Sequence, residues 1–415
     1  MAKKAKGIKG HIDDTNTQYC SNSLVNWLLI DSKQINSISD ILQGTCTRLV
    51  QAGIPLWRLY CQIQSLHPQT VSTSYTWLRD TNMIEEVSSP HGGFEKPLHL
   101  ESPCAAIFGG ASSLRRRLVG KHPRLDFPIL NDLRPQHATD YVAFPIQFSD
   151  GKVNVFSATA NCPKGFNEDH LQQIMEMLPA LTLRLEAMIL RRTAGTLLNT
   201  YLGHHSGERV LDGLIQRGDG EDLHAVIWYC DLRDSTLLSR KLDRKSFLAV
   251  LNDFFDCMGG AVVDQGGEIL SFIGDAMLAI FPIGNTNGTS LRVHSPKSTA
   301  CKNAITAAKE AQARMDLLNK KRTRDLQSQL GFGIAFHIGD VIYGNIGIPE
   351  RLEFTVIGTA VNEVTRIESL CKTLGKPILA SEIFAANYES SFVTCGYHEL
   401  KGIDGRHQIF ALDEG

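Results

Sequence analysis

The chain has 415 residues, of which 43% are hydrophobic, and a formal net charge of −2 at pH 7. A length of this order predicts about two or three domains, each with enough apolar residues to bury a core. The nearly neutral charge gives no electrostatic reason to expect nucleic acid or an anionic membrane as a partner. No apolar run approaches the ~20 residues that cross a bilayer, and no secretory signal follows Met1, so we expect no membrane span. The ten cysteines are scattered without a CxxC pair, which argues against a zinc site or disulfide framework and predicts a cytoplasmic protein.

The N-terminal part reads as an α/β domain. Residues 1–21 are predicted to be a disordered tail, and apolar residues at helical spacing predict helix over 22–52. Residues 57–66 alternate as a strand does, and 140–148 with 153–160 flank an Asp-Gly turn, which predicts a hairpin. Asn167 is then a candidate N-cap for a following helix.

This succession of helix, strand, long variable middle, hairpin and closing helix resembles a GAF-type sensor domain, which we assign to residues 22–168. The resemblance implies either a site for a small molecule or a dimerisation role, and the sequence does not decide between them. Residues 169–222 are predicted to be a helical connector that ends in a polar, Gly-rich boundary. Its dense apolar positions favour a seam between two parallel helices over a helix that packs only on its own domain.

The central motif lies in residues 226–281, where two apolar strands each lead to an acidic residue. The first strand leads into Asp231, and the second leads through Gly274 into Asp275. A helical pattern over 245–263 separates them, so a strand, a helix and a hairpin would place the two carboxylates side by side. Paired carboxylates on rigid strands bind hard cations such as Mg²⁺, although a single Asp at a strand end is more often a turn residue.

The remaining residues predict further helices and strands. A polar insertion is expected over 284–298, a helix over 299–321, and two strands joined by a hairpin turn at Gly339-Asp340. Asn362 and Arg366 are four residues apart on a predicted helix, so they share one face. The order β-α-β-β, then α-β-β-α-β, predicts an α+β chain with a C-terminal ferredoxin-like α/β sandwich.

Residues 223–415 resemble a class III nucleotidyl cyclase catalytic domain, the domain of adenylate and guanylate cyclases. The resemblance rests on three segments in the family's order and spacing: YCDLRDST, FIGDAMLAIF and FTVIGTAVNEVTR. Their joint match outweighs the more ordinary interpretation of each residue alone.

The resemblance implies a role for each matching residue. Asp231 and Asp275 would bind two Mg²⁺ or Mn²⁺ ions, with the Leu232 carbonyl as a further ligand. The turn through Thr236 would hold the triphosphate, and Lys401 could reach the phosphates. Asn362 would orient the ribose, and Arg366 would stabilise charge on the α-phosphate. In this family the acids and the Asn/Arg pair come from opposite protomers, which implies a homodimer.

Substrate choice rests on two positions that depart from the family's pattern. Where adenylate cyclases carry Lys, this chain has Ser271, and the partner position is Thr355. Guanylate cyclases carry Glu and Cys there, and neither is present. We therefore expect ATP as the substrate and cyclic AMP as the product. The family's Gly in the first motif is Asp234 here, which adds a carboxylate near the phosphates.

Three alternatives remain from the residues alone. A guanylate cyclase stays open, because two small hydroxyls read the base less strictly than Lys and Asp. A degenerate domain that only binds nucleotide or dimerises is supported by Ser271 but disfavoured by the intact set of four site residues. The run Gly266-Gly267-Glu268-Ile269 superficially resembles the signature of diguanylate cyclases, but that family has no place for the FTVIGTAVN segment.

Overall fold

The computed structural model describes residues 23–285, 294–388 and 392–413. The chain divides into two compact units, Met1–Thr196 and Leu197–Gly415, which are described separately. The predicted N-terminal tail lies outside the described residues, as do residues 286–293 of the predicted insertion.

The first unit is an antiparallel sheet with helices on both faces, and α6 continues from it past the unit boundary. Its helices are α1 (Ser23–Leu29), α2 (Ile38–Gln51), α3 (Pro97–Leu100), α4 (Pro103–Phe108), α5 (Pro128–Leu133) and α6 (Glu168–Leu202). Its strands are β1 (Leu56–Gln64), β2 (Thr70–Leu78), β3 (Met83–Pro90), β4 (Leu114–Arg117), β5 (Asp140–Gln147) and β6 (Val153–Ala160). The strand order is β3-β2-β1-β6-β5-β4.

Several local predictions for this unit are confirmed. The strand expected over 57–66 is β1, and the expected hairpin is the pair β5 and β6. The Asn167 Oδ1 atom accepts a hydrogen bond of 2.8 Å from the backbone N of His170, as an N-cap should. The helix predicted over 22–52 is interrupted, because a short 3₁₀ turn (Asp31–Gln34) separates α1 from α2.

The sheet of this unit has two differently covered faces. Leu59, Cys61 and Ile63 of β1 face a large core built with α1, α2 and the first half of α6. The alternate residues of β1 face the other way, towards α3, α4 and α5. The first half of α6 is therefore part of the core of this unit.

The second unit combines a mixed sheet with helices on both faces. Its helices are α7 (His204–Leu211), α8 (Ser235–Lys241), α9 (Arg244–Asp264), α10 (Lys297–Arg324), α11 (Thr359–Leu374) and α12 (Glu382–Ala385). Its strands are β7 (Gly220–Leu232), β8 (Glu268–Ile273), β9 (Ala276–Pro282), β10 (Gly284–Asn285), β11 (His294–Ser295), β12 (Phe332–Ile348), β13 (Arg351–Ile357), β14 (Ile378–Ser381), β15 (Phe392–Glu399) and β16 (Arg406–Leu412).

The main sheet runs β15-β16-β14-β12-β7-β9-β8, and β13 pairs with β12. The elements β7-α9-β8-β9-α10-β12 follow one another as β-α-β-β-α-β, with strand order β12-β7-β9-β8. Within β7, Val226 and Trp228 pack with α9 and α10, while Ala225 and Ile227 pack with α11. Because both faces are covered, this strand reads as a continuous apolar run, and its end is rigidly held.

The hairpin predicted at Gly339-Asp340 is wrong. Residues 332–348 form one strand, β12, which pairs with β7 from Phe332 to Gly344, with Gly339 opposite Ala225. The glycine serves a close contact instead of a turn. A Cβ atom at position 339 would lie 2.5 Å from the Cβ atom of Ala360 on α11, so only glycine lets the helix approach this closely.

The boundary predicted as polar and Gly-rich near residues 201–222 is more ordered than expected. It contains α7 and the start of β7. The Ser206 Oγ atom lies 2.7 Å from the Tyr343 hydroxyl, which donates to the Glu268 Oε1 atom over 2.7 Å. Ser206 of this segment is therefore hydrogen-bonded to a buried residue of the second unit. The composition of the segment alone does not predict such a contact.

One described helix, α9, has the length and apolar composition that a membrane span would need. Its buried residues include Val250, Phe254, Met258 and Val262, which pack against the sheet of the second unit. A helix in a protein core can have the same length and composition, so this feature is weak evidence for a membrane span.

Candidate active site

Two acidic residues meet at one end of the sheet, as predicted. Asp231 lies near the end of β7, opposite Ala276 of β9. Asp275 precedes Ala276 in the turn between β8 and β9, after Gly274 at a φ of 65°. The Leu232 backbone N donates to the Asp275 carbonyl oxygen over 3.3 Å, which fixes the two segments side by side.

The electrostatics of the acid pair suit a cation. Burial, the nearby Asp275 carboxylate and then the Glu368 carboxylate raise the pKa of Asp231 well above its usual range, while Arg233 opposes them. A divalent ion would relieve this repulsion, and two carboxylates with a backbone carbonyl such as that of Leu232 are oxygen donors of the kind Mg²⁺ accepts. In the described ranges no cluster of three or more His, Cys, Asp or Glu side chains could hold a metal.

An ion pair that the sequence did not predict lies beside the acids. The Arg233 Nη2 atom is 3.0 Å from the Glu368 Oε1 atom, and the side chains are 18% and 6% exposed. Both pack over Gly333, the residue opposite Asp231 on β12. Burial raises the pKa of Glu368, Arg233 lowers it and Asp275 raises it. The sequence did contain a signal: Glu368 stands four residues after Val364, at a spacing that places both on one face of a helix, and the structure shows that this face of α11 is buried.

Breaking this pair should destabilise the second unit. We expect Arg233→Met to lower the free energy of unfolding by about 3–5 kcal/mol, because it leaves the Glu368 carboxylate buried without its partner. The double variant Arg233→Met/Glu368→Met should recover most of the loss, since it removes both charges. Urea unfolding of the three proteins measures the effect.

An exposed pair provides the matched control. The Lys372 Nζ atom lies 2.9 Å from the Asp234 Oδ1 atom, with both side chains more than half exposed. Lys372→Met should change stability by at most about 1 kcal/mol. If Arg233→Met were as mild as Lys372→Met, the buried pair would contribute nothing to the fold.

Asn362 and Arg366 lie together on α11, and both side chains are exposed. Glu368 of the same helix faces the acid pair. At about 100° per residue, Arg366 lies about 200° and Asn362 about 240° around the helix from Glu368. Both side chains are therefore turned away from the acid pair of their own chain. Within one protomer the two acids lie close together, and so do Asn362 and Arg366. The two pairs, however, do not face each other.

The two predicted base-reading residues are half-buried on neighbouring strands. Ser271 lies on β8 opposite Leu278, and Thr355 lies on β13 opposite Gly344. The strands β8 and β13 approach each other within the second unit. Their predicted roles stay predictions.

The remaining predicted contacts lie at exposed positions. Thr236 is in the first turn of the short helix α8, and Lys401 is in the turn between β15 and β16. Asp234, which begins α8, has a φ of 55°, in the left-handed region that favours glycine and tolerates Asp. Its carboxylate pairs with Lys372, so part of the extra negative charge near this turn is neutralised.

Comparison with known proteins identifies the class of this domain. Residues 221–413 match the model of the adenylate and guanylate cyclase catalytic domain. This segment of the chain is therefore a cyclase catalytic domain, and the resemblance to class III nucleotidyl cyclases is confirmed for it.

Two curated relatives and one solved structure are similar to part of this chain. The chain is 34% identical over 177 residues to an adenylate cyclase of Anabaena cylindrica, a match that covers 42% of this chain and 32% of the relative. It is 30% identical over 181 residues to adenylate cyclase 1 of Rhizobium meliloti, covering 42% of this chain and 25% of the relative. The crystal structure of the guanylyl cyclase Cya2 is 26% identical with a TM-score of 0.40, covering 46% of this chain and 93% of that one. The matched part thus spans about a third or less of these two curated relatives.

Proposed function

We propose that this chain is an adenylate cyclase that converts ATP into 3′,5′-cyclic AMP and pyrophosphate at sites shared by two copies. The observation that carries the proposal is the split arrangement of the site. Asp231 and Asp275 meet at the sheet end, while Asn362 and Arg366 face outwards on α11. A second copy related by two-fold symmetry would supply to each acid pair the amide and guanidinium that its own chain directs elsewhere.

An exposed apolar stripe on α6 supports self-association. Met175, Leu183 and Leu190 are 49%, 62% and 61% exposed and are spaced by eight and seven residues. Apolar side chains at this spacing lie along one side of a helix and suit a seam with a parallel copy. We propose that this helix joins the N-terminal unit, as a GAF-like regulatory domain, to the catalytic domain.

Each site residue then has a defined task. Two Mg²⁺ or Mn²⁺ ions held by Asp231 and Asp275 would stabilise charge on the phosphate oxygens and lower the pKa of the ribose 3′-hydroxyl. Asn362 holds the ribose so that its 3′-oxygen lies in line with the α-phosphorus. Arg366 donates hydrogen bonds to the α-phosphate as negative charge develops there, and pyrophosphate leaves. The turn through Thr236, with Lys401, holds the triphosphate.

The choice of ATP rests on the base-reading residues. The Thr355 hydroxyl can accept a hydrogen bond from the adenine amino group, and the Ser271 hydroxyl can donate to a ring nitrogen. The adenylate cyclases among the relatives support the same choice.

Product identification tests the proposal. Purified protein incubated with ATP or GTP and Mn²⁺ or Mg²⁺, followed by chromatography, should yield mainly cyclic AMP. Cyclic GMP as the main product would reverse the substrate assignment. The absence of any cyclic nucleotide with either metal would favour a module that binds nucleotide or dimerises without catalysis.

A further inference from the structure

A cavity of about 410 Å³ lies within the first unit, between its sheet and the short helices that cover one face. Its floor includes Arg58, Tyr60 and Gln62, which alternate along β1 and so share one face of the sheet. Its walls include Phe94, His99 and Cys104, with Ile129 of α5 and Tyr141 of β5. This volume is in the range of sites for small organic molecules.

The Arg58 guanidinium lines this cavity without an ion-pair partner among the described residues. Among the described residues, none forms a hydrogen bond or an ion pair with its guanidinium, and its nearest aromatic contact is the Tyr60 ring, 5.4 Å from the Cζ atom. Burial lowers the pKa of Arg58. The Cys104 thiol beside it is neutral, because burial raises its pKa to about 11. The Glu85 carboxylate raises the pKa of Arg58 by electrostatic attraction, but it is exposed and forms no ion pair with the guanidinium.

An enclosed charge without a partner is costly, and an anion supplied by a ligand would offset that cost. Glu101, Asp132 and Lys96 also line the cavity, but all three are exposed to solvent, and neither carboxylate forms an ion pair with Arg58. They neither neutralise Arg58 nor add a second enclosed cation. One enclosed guanidinium suits a singly charged, planar anion better than a phosphate ester with two charges.

The rest of the lining defines the body of the ligand. The rings of Tyr60, Phe94 and Tyr141 offer flat apolar surfaces, and Phe94 is itself stacked on His99 with 4.4 Å between ring centroids. Gln62 is buried at the base of the cavity, and its Nε2 atom donates to the Ser72 hydroxyl over 3.2 Å.

We propose that this cavity binds a small organic carboxylate, whose charged end pairs with Arg58 and whose apolar body packs against Tyr60, Phe94 and Tyr141. The inference concerns a ligand of the N-terminal unit and is independent of the cyclase reaction. A carboxylate matches the planar guanidinium with two parallel hydrogen bonds, which gives direction as well as attraction.

Calorimetric titration of the full chain with a matched pair of probes tests the proposal. The probes are 1-naphthylacetate and its uncharged amide, 1-naphthylacetamide, which differ chiefly in the anionic end. The carboxylate should bind at least about tenfold more tightly than the amide. Arg58→Met should weaken carboxylate binding by about tenfold to a hundredfold and leave amide binding unchanged, whereas Arg58→Lys should keep part of the preference.

Two further measurements make the test decisive. Arg134→Met replaces an exposed arginine of the same unit outside the cavity and should leave the binding of both probes unchanged. Without ligand, Arg58→Met should raise the Tm by about 2–4 °C, because it removes an uncompensated charge. The proposal is overturned if wild-type protein does not bind the carboxylate, if it binds both probes equally, or if Arg58→Met binds the carboxylate as tightly as wild type.

Discussion

Asp231→Asn should reduce cyclase activity by about a thousandfold or more, equivalent to about 4 kcal/mol of transition-state stabilisation. The substitution keeps the size of the side chain but removes one of the two negative charges that would hold the cations. Asp275→Asn should have an effect of similar size, because the two acids act as one unit. Initial rates of cyclic AMP formation at saturating Mn²⁺ measure the loss.

The same variant should fold at least as well as wild type. Asp231 is half-buried beside Asp275, and this environment raises its pKa, so its charge is unfavourable to the metal-free folded state. Removing the charge should therefore leave the Tm of metal-free protein unchanged or higher. Mn²⁺ should raise the Tm of wild type but not that of the variant.

An acid elsewhere on the same strand gives the control. Asp222 is exposed on β7, opposite Ile342. Asp222→Asn should retain full activity and the full response to Mn²⁺. If Asp231→Asn retained more than about a tenth of the activity, the acids would not hold the catalytic ions, since the loss would be less than about 1.4 kcal/mol.

Mixing two inactive variants should restore activity. Arg366→Ala should lower the rate by about a hundredfold to a thousandfold, because the guanidinium no longer stabilises charge on the α-phosphate. Combined in equal amounts with Asp231→Ala protein, half of the dimers are mixed and one of their two sites is intact. The mixture should therefore recover about a quarter of the wild-type activity if sites are built across a two-fold interface.

The control mixture combines Asp231→Ala with Asp275→Ala. In those mixed dimers each site still lacks one acid, so activity should stay at the level of the separate variants. Two affinity tags used in sequence would show that mixed dimers have formed. Mixed dimers without recovery in the first mixture would contradict a site shared between protomers, even if the protein is an active cyclase.

The acid pair was predictable because its geometry is nearly local. Asp231 lies near the end of one apolar strand, β7, and Asp275 lies in the tight turn between β8 and β9. Because β9 pairs with both β8 and β7, the two acids meet at one end of the sheet. The face shared by Asn362 and Arg366 follows in the same way from helical spacing. Such inferences need only the periodicity of one or two elements.

The glycine at position 339 shows where local patterns fail. In a sequence, a Gly-Asp pair between alternating apolar residues is a turn signal. Here the glycine instead admits Ala360 of α11, which packs from another layer. The two uses of glycine differ in what lies outside the strand, so no pattern within the strand distinguishes them.

By itself the sequence determined the strands and helices that carry the site, the pairing of the two acids, and the cyclase family to which residues 221–413 belong. Only the tertiary structure decided that Arg233 and Glu368 form a buried pair beside those acids, that Asn362 and Arg366 face away from them, and that Arg58 stands without a partner in a cavity. The reason is physical. Spacing along one element fixes which side chains share a face, whereas burial and the pairing of charges depend on elements that lie far apart in the chain and meet only when it folds.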